Sequence, residues 1–165
     1  MIPAPIAARL KLLQRDTPYL RAYALVDGVQ YGKVTGSPMQ GSEARRALFQ
    51  GTEDEGLAHA GPWLIDLAQE APEALSTISD LEQAKPSVVW LFSRLPLETL
   101  ALALQTRLNS RLPNGKIALI RFWDPRTLKA LFNALDVPTR RDYFSDADEW
   151  HAQLDGKRFH ISIHV

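Results

Sequence analysis

Val88-Val89-Trp90-Leu91-Phe92 lies between Pro86 and Pro96, an apolar run too short for a helix and closed on both sides by residues that interrupt regular structure. It reads as a strand, and the segments around it decide the fold. Pro96 to Arg111 follows as the longest helical pattern, and Pro72, suited to a first helical turn, opens a helix to about Ala84. Further out, Trp63 to Leu67 is a strand, and so is Tyr19 to Val26, stopped by the turn pair Asp27-Gly28. Ile6, Leu10 and Leu13 recur at helical spacing from about Pro5 to Gln14, and Ser42 is placed to cap a helix running to about Gln50. On the other side, Asn114-Gly115 turns the chain into a strand from Ile117 to Phe122. Asp124-Pro125 then starts a helix, with Asp as N-cap, that carries Leu128, Leu131 and Phe132 on one face and ends near Leu135. Thr139 and Asp142 have the spacing of a capping box for one more helical turn. Strands alternating with helices predict an α/β fold: a mixed, largely parallel sheet of about five or six strands flanked by helices.

The C-terminus adds an antiparallel hairpin. Trp150 to Leu154 and Lys157 to Val165 flank Asp155-Gly156, the pair that favours a two-residue type I′ turn. In that register Leu154 faces Lys157, Ala152 faces Phe159 and Trp150 faces Ile161. One face is apolar (Trp150, Ala152, Leu154, Phe159, Ile161, Ile163, Val165) and is expected to cover a core. The other carries Glu149, His151, Gln153, Arg158, His160, Ser162 and His164, and is expected to meet water or a partner.

The chain of 165 residues fits one compact domain spanning residues 1–165, with no second lobe expected. Apolar residues make up 45% and charged residues 23%, ordinary for a globular protein and wrong for a disordered one. Lys plus Arg and Asp plus Glu are each 19; with no basic excess, nucleic acid is not an expected partner. The absence of cysteine excludes disulfides, thiolate metal sites and cysteine nucleophiles, and fits a cytoplasmic location. No secretory signal is read at the start. The most apolar stretch, Leu95 to Leu104, contains Glu98 and falls far short of the ~20 residues a membrane span requires. Seven of the nine glycines fall between Gly28 and Gly61, so the segments around the second helix are expected to be exposed and mobile.

Common catalytic motifs are missing: there is no P-loop, no G-x-G-x-x-G, no H-E-x-x-H and no G-x-S-x-G. Two constellations remain. His151 faces His160 across the hairpin, a pair able to share Zn²⁺, but His164 lies roughly 13 Å further along the strand. A solvated strand face is the simpler reading. Asp27, Asp66, Arg94 and Asp124, with Arg121 nearby, sit at strand ends that a parallel sheet would gather on one edge, where carboxylates could hold Mg²⁺. Each also has a structural reading: Asp27 precedes a turn, Asp124 caps a helix, and Arg121, on a strand otherwise apolar, seeks a carboxylate. Tyr31, with Gly32 and Lys33 in the glycine-rich segment, is the expected partner contact, since an aromatic on an exposed polar loop suits recognition.

An ordered series of short motifs goes further. Tyr23-Ala24-Leu25-Val26-Asp27-Gly28 is followed by Gly61-Pro62-Trp63-Leu64, then by Ser93 with Pro96-Leu97-Glu98-Thr99-Leu100. Arg111-Leu112-Pro113-Asn114-Gly115 and Arg121-Phe122-Trp123-Asp124-Pro125-Arg126 complete it. In this order they resemble the adaptor/chaperone domain of type VI secretion systems, long catalogued as a domain of unknown function. The resemblance spans about residues 19–150. It departs from the family where relatives often carry a His-Leu pair, here Ala103-Leu104, and in the lack of the helical lobe that many relatives carry after this domain. The resemblance implies a non-enzymatic cytoplasmic protein, without cofactor or metal, that binds a secreted effector and helps load it onto the valine-glycine repeat spike protein. The motif residues are expected to be fold markers. Two alternatives stand beside this reading: an immunity-type protein that sequesters a toxin, and a metal-dependent phosphatase-like enzyme using Asp27, Asp66 and Asp124.

Overall fold

The computed structural model describes residues 1–163; His164 and Val165, and with them the third histidine and the last apolar residue of the expected hairpin, lie outside the described residues. The chain opens with helix α1 (Ala4–Leu13), strand β1 (Arg21–Asp27) and helix α2 (Gly28–Thr35). Strand β2 (Arg45–Ala47) and a 3₁₀ turn (Glu55–Ala60) lead to β3 (Pro62–Asp66), α3 (Pro72–Ala84) and β4 (Val88–Ser93). After α4 (Leu97–Gln105) come two short strands, β5 (Asn109–Arg111) and β6 (Ile117–Leu119). Helices α5 (Pro125–Ala134) and α6 (Val137–Tyr143) precede the hairpin β7 (Glu149–Leu154) and β8 (Lys157–Ser162).

The main sheet has six strands in the order β2-β3-β1-β4-β7-β8, and every neighbouring pair is antiparallel. This overturns the largely parallel sheet. The reason is visible in β3-α3-β4. Those strands do run in the same direction, joined by a helix, as the alternation predicts. β1, however, occupies the slot between them, running the opposite way, with Asp27 opposite Pro62 and Val26 opposite Val88. Helices cover both sheet faces. Tyr23, Leu25, Leu91 and Trp150 meet Leu100 and Leu104 of α4 and Leu128 of α5 on one face. Ala24, Val26, Trp90 and Ile65 meet Ile6 of α1 and Ile78 and Leu81 of α3 on the other. Strands buried on both faces are apolar throughout, whichever way they run, so apolar runs carry no information on direction.

Local signals that act within a few residues held well. α3 begins at Pro72 and ends at Ala84. α5 starts behind Asp124, whose side chain accepts the Arg126 N–H. The terminal hairpin has the expected register, with Asp155 and Gly156 both at positive φ as a type I′ turn requires.

Four elements differ from expectation. The segment after Asp27 is not a mobile loop: Asp27 caps α2, which Gly36 closes in the left-handed region (φ 78°). Ser42 caps no helix; its hydroxyl accepts the Ala44 N–H in a local turn that leads into edge strand β2. The helix from Pro96 ends at Gln105, and Asn114-Gly115 folds 117–119 back on 109–111 as a separate two-stranded hairpin, leaving Phe122 in the core and outside any strand. α6 is capped by Asp136, which accepts the Thr139 N–H, and not by Thr139.

The polar face of the hairpin is not solvated near its start. Glu149 is 2% exposed and His151 6%, because α1 lies over them and Arg9 pairs with the Glu149 carboxylate. Glu82 of α3 similarly takes Arg158 from β8 and the Trp90 indole N–H. Among the described residues no helix is long and apolar enough to cross a membrane.

Candidate functional site

Three of the five motif segments, Asp27-Gly28, Gly61 to Trp63 and Arg121 to Arg126, come together at one end of the main sheet, while Ser93 lies at the opposite end of β1 and Arg111 in the separate hairpin. Asp27 ends β1 with a buried side chain. One carboxylate oxygen accepts the N–H groups of Val29 and Gln30 at 2.9 and 3.2 Å, and the other faces the Arg121 guanidinium at 3.4 Å. Gly28 follows because nothing larger fits: its N–H bonds the Gly61 carbonyl, and a Cβ there would stand 2.3 Å from the His59 carbonyl oxygen. Gly61 is held under the Phe49 ring, which a Cβ would meet at 2.5 Å. Pro62 then opens β3, and the Trp63 indole donates to the His59 carbonyl. Phe49 also packs edge-on against Trp123, which ties this corner to the Arg121–Arg126 motif. Phe122, fully buried, packs edge-on against both Trp123 and Trp150.

What faces outward is a pair of arginines. The Arg121 side chain is 51% exposed and lies with its guanidinium 5.3 Å from the Trp123 ring centroid. The Arg126 side chain is 65% exposed and forms a two-pronged bond with Asp124, at 3.0 and 2.7 Å. Burial pushes the Asp124 carboxyl up, but the Arg126 side chain and its backbone N–H outweigh that and hold it below its ordinary value. Pro125, in the first turn of α5, carries no N–H that needs a partner there. Two buried carboxylates thus fix two exposed guanidinium groups, which retain donors for a partner's carboxylates.

The three carboxylates expected to hold Mg²⁺ do not meet. Asp66 pairs across the sheet with Tyr23, four residues from Asp27 and about 13 Å along the strand. It serves its own turn, accepting from the Ala68 N–H and the Gln69 amide, with Arg21 alongside at 3.7 Å. Arg94 is at that same far end, paired with Asp148. The parallel sheet that would have gathered these groups is absent. Among the described residues no group of three or more His, Asp or Glu side chains is arranged to hold a metal ion. His151 and His160 stack at 5.2 Å, but a His151 ring nitrogen is engaged with Glu149 at 2.6 Å.

Tyr31, Gly32 and Lys33 separate. Tyr31 is half-buried against the core on the α1/α3 side, not displayed on a loop. Gly32 and Lys33 line a shallow groove of about 310 Å³ with Val29, Pro38 and His59, next to the Gly28–Gly61 contact. Tyr23, another motif residue, is structural: its buried hydroxyl donates to the Leu95 carbonyl at 2.7 Å. Phe49 and Trp123 hold the corner together, yet no local pattern distinguishes them from other apolar residues. Only the contact across the core reveals them.

A family described as a domain of unknown function (DUF4123) matches residues 22–142. Neither the curated proteins nor the solved structures contain a significant match to the chain.

Proposed function

The chain belongs to the DUF4123 family, and from that premise we propose that it is a non-enzymatic cytoplasmic adaptor that binds a type VI secretion effector and helps load it onto the valine-glycine repeat spike. The observation that carries this reading is the meeting of three of the five motif segments. Asp27, Gly28, Gly61, Arg121, Asp124 and Arg126 build one corner whose interior is closed and whose exterior presents two arginines. The carboxylates there are bound to helix N–H groups and to arginine, which suits a docking surface better than a proton-transfer site. The surface assigned to cargo therefore moves from Tyr31 to Arg121 and Arg126, with the Gly32–Lys33 groove beside them, and it takes acidic side chains of the effector.

Co-expression with a candidate type VI effector and a valine-glycine repeat spike protein tests this. A complex holding all three proteins is the expected result. Binding of the effector that abolishes its toxicity and leaves the spike out would overturn the adaptor reading in favour of an immunity protein.

A further inference from the structure

The two edges of the main sheet are not alike. β2 ends one side with three residues, while β8 ends the other with six and has β7 as its only neighbour among the described residues. Short strands blunt an edge; a long straight one is open to another chain. In a two-residue hairpin the pair flanking the turn, Leu154 and Lys157, exchanges backbone bonds, and bonded pairs then alternate along the ladder. Arg158 and His160 therefore aim their backbone N–H and C=O groups away from β7, toward the free edge.

Beside that edge lies a cavity of about 280 Å³ between β8 and helices α5 and α6. Its walls are Phe132, Val137, Phe144, Ile161 and Ile163. Its charged lining is Arg140 and Arg141, joined by His160, and no acidic side chain lines it. Arg140 is held in place: its guanidinium carbon sits 3.9 Å from the Phe132 ring centroid and one nitrogen donates to the Leu135 carbonyl. Its Nε is buried and has no hydrogen-bond partner, the one such side-chain atom among the described residues. That buried donor is unfavourable where it lies, and the terminal guanidinium nitrogens carry the N–H groups that an acceptor from outside can meet.

We propose that β8 and this groove capture an extended segment of a protein partner by strand addition. The segment's backbone completes the ladder at Arg158 and His160. Apolar side chains at every second position enter between Ile161 and Phe132, and a carboxylate among them meets Arg140 and Arg141. The positive, acid-free lining selects an acidic-apolar strand. The inference goes beyond the adaptor reading and stands without it.

Selection from displayed random peptides, long enough to span β8, tests the site without knowledge of the cargo. The expected result is a set of peptides with alternating apolar residues and a carboxylate that bind the wild-type chain. His160→Val keeps the backbone N–H and removes only the imidazole from the lining, so it should lower affinity far less than His160→Pro does. His160→Pro removes one outward donor and no β7 bond, and should lower affinity roughly tenfold or more, as should Arg140→Gln. If the proline variant does not fold, N-methylation along the best peptide replaces it, with binding lost at alternate residues only. Failure to enrich any peptide, or peptides indifferent to both substitutions and to N-methylation, would overturn the proposal. Strand capture without the effector–spike complex would remove the adaptor reading and leave this one standing; the converse result would do the opposite.

Discussion

Two carboxylate–arginine clusters in this protein share their chemistry and differ in where they place the charge. At the end of the sheet, Asp27 and Asp124 are buried and their arginines are mostly exposed. Under α1, Glu149 is buried, touches His151, and takes the Arg9 guanidinium on both carboxylate oxygens. The first cluster stabilises a local turn and helix start and displays cations outward. The second joins a helix to a sheet across 140 residues of chain. A carboxylate with an arginine is therefore no indicator of role. The carboxylate is buried in both; what differs is that Arg9 reaches from α1 onto β7 and fastens two layers together, while Arg121 and Arg126 extend outward from the end of the sheet.

The largest expected effect breaks the first cluster at its backbone. Gly28→Ala forces a Cβ onto the His59 and Gly61 carbonyls. It should destabilise the protein by roughly 3 kcal/mol or more, read as a lowered urea midpoint or loss of soluble protein. Next, Glu149→Ala leaves Arg9 and His151 without their shared partner and should cost about 3 kcal/mol, checked by the same measurement. The contrast with Asp124→Ala sharpens the comparison. That change removes an N-cap whose arginine is already in water, and about 1 kcal/mol should be lost.

The pH response should follow the second cluster as well. Burial pushes the Glu149 carboxyl up, but His151 and Arg9 outweigh burial and bring it from 4.5 down to about 2. A carboxyl whose folded value is depressed contributes stability in full above its ordinary value, and that contribution fades as pH falls through about 2. The wild-type urea midpoint should therefore drop as pH descends from 4.5 toward about 2, and Glu149→Gln should show a flatter acid limb. A profile with the same slope in both would assign the acid sensitivity to other carboxylates. The smallest structural effect belongs to the exposed arginines. Arg121→Lys with Arg126→Lys keeps a cation beside each buried carboxylate and should leave the melting temperature almost unchanged while weakening effector binding through loss of the forked donors, measured by titration against the purified effector. A large fall in melting temperature would make these residues part of the fold and not of the docking surface.

The polar hairpin face shows why part of the site was hidden in the sequence. Glu149, His151 and Arg158 alternate with apolar residues in the way of a strand facing water. The same pattern serves a strand facing a helix that carries complementary charge, here Arg9 on α1 and Glu82 on α3. Alternation reports that two faces differ, and leaves open what covers each. Asp66 makes the same point for the candidate site. It stands at a strand's C-terminal end, as Asp27 does, but it is brought to the opposite end of the sheet because β3 and β1 run in opposite directions. Arg121 was legible as a residue seeking a buried carboxylate, with Asp27, Asp66 and Asp124 as candidates. That it takes Asp27, 94 positions away, was decided by the fold.

By itself the sequence determined the start at Pro72, the Asp124 cap and the register of the terminal hairpin. Each depends on groups within a few residues of one another, where proline geometry, a capping carboxylate or an Asp-Gly turn acts directly. Only the tertiary structure decided strand direction, the closing of the Gly28–Gly61 corner and the burial of Glu149. These follow from which strand fills the slot between β3 and β4 and which helix lies over each face. Such contacts join residues tens of positions apart, and an apolar run or a charged residue reads the same before they form.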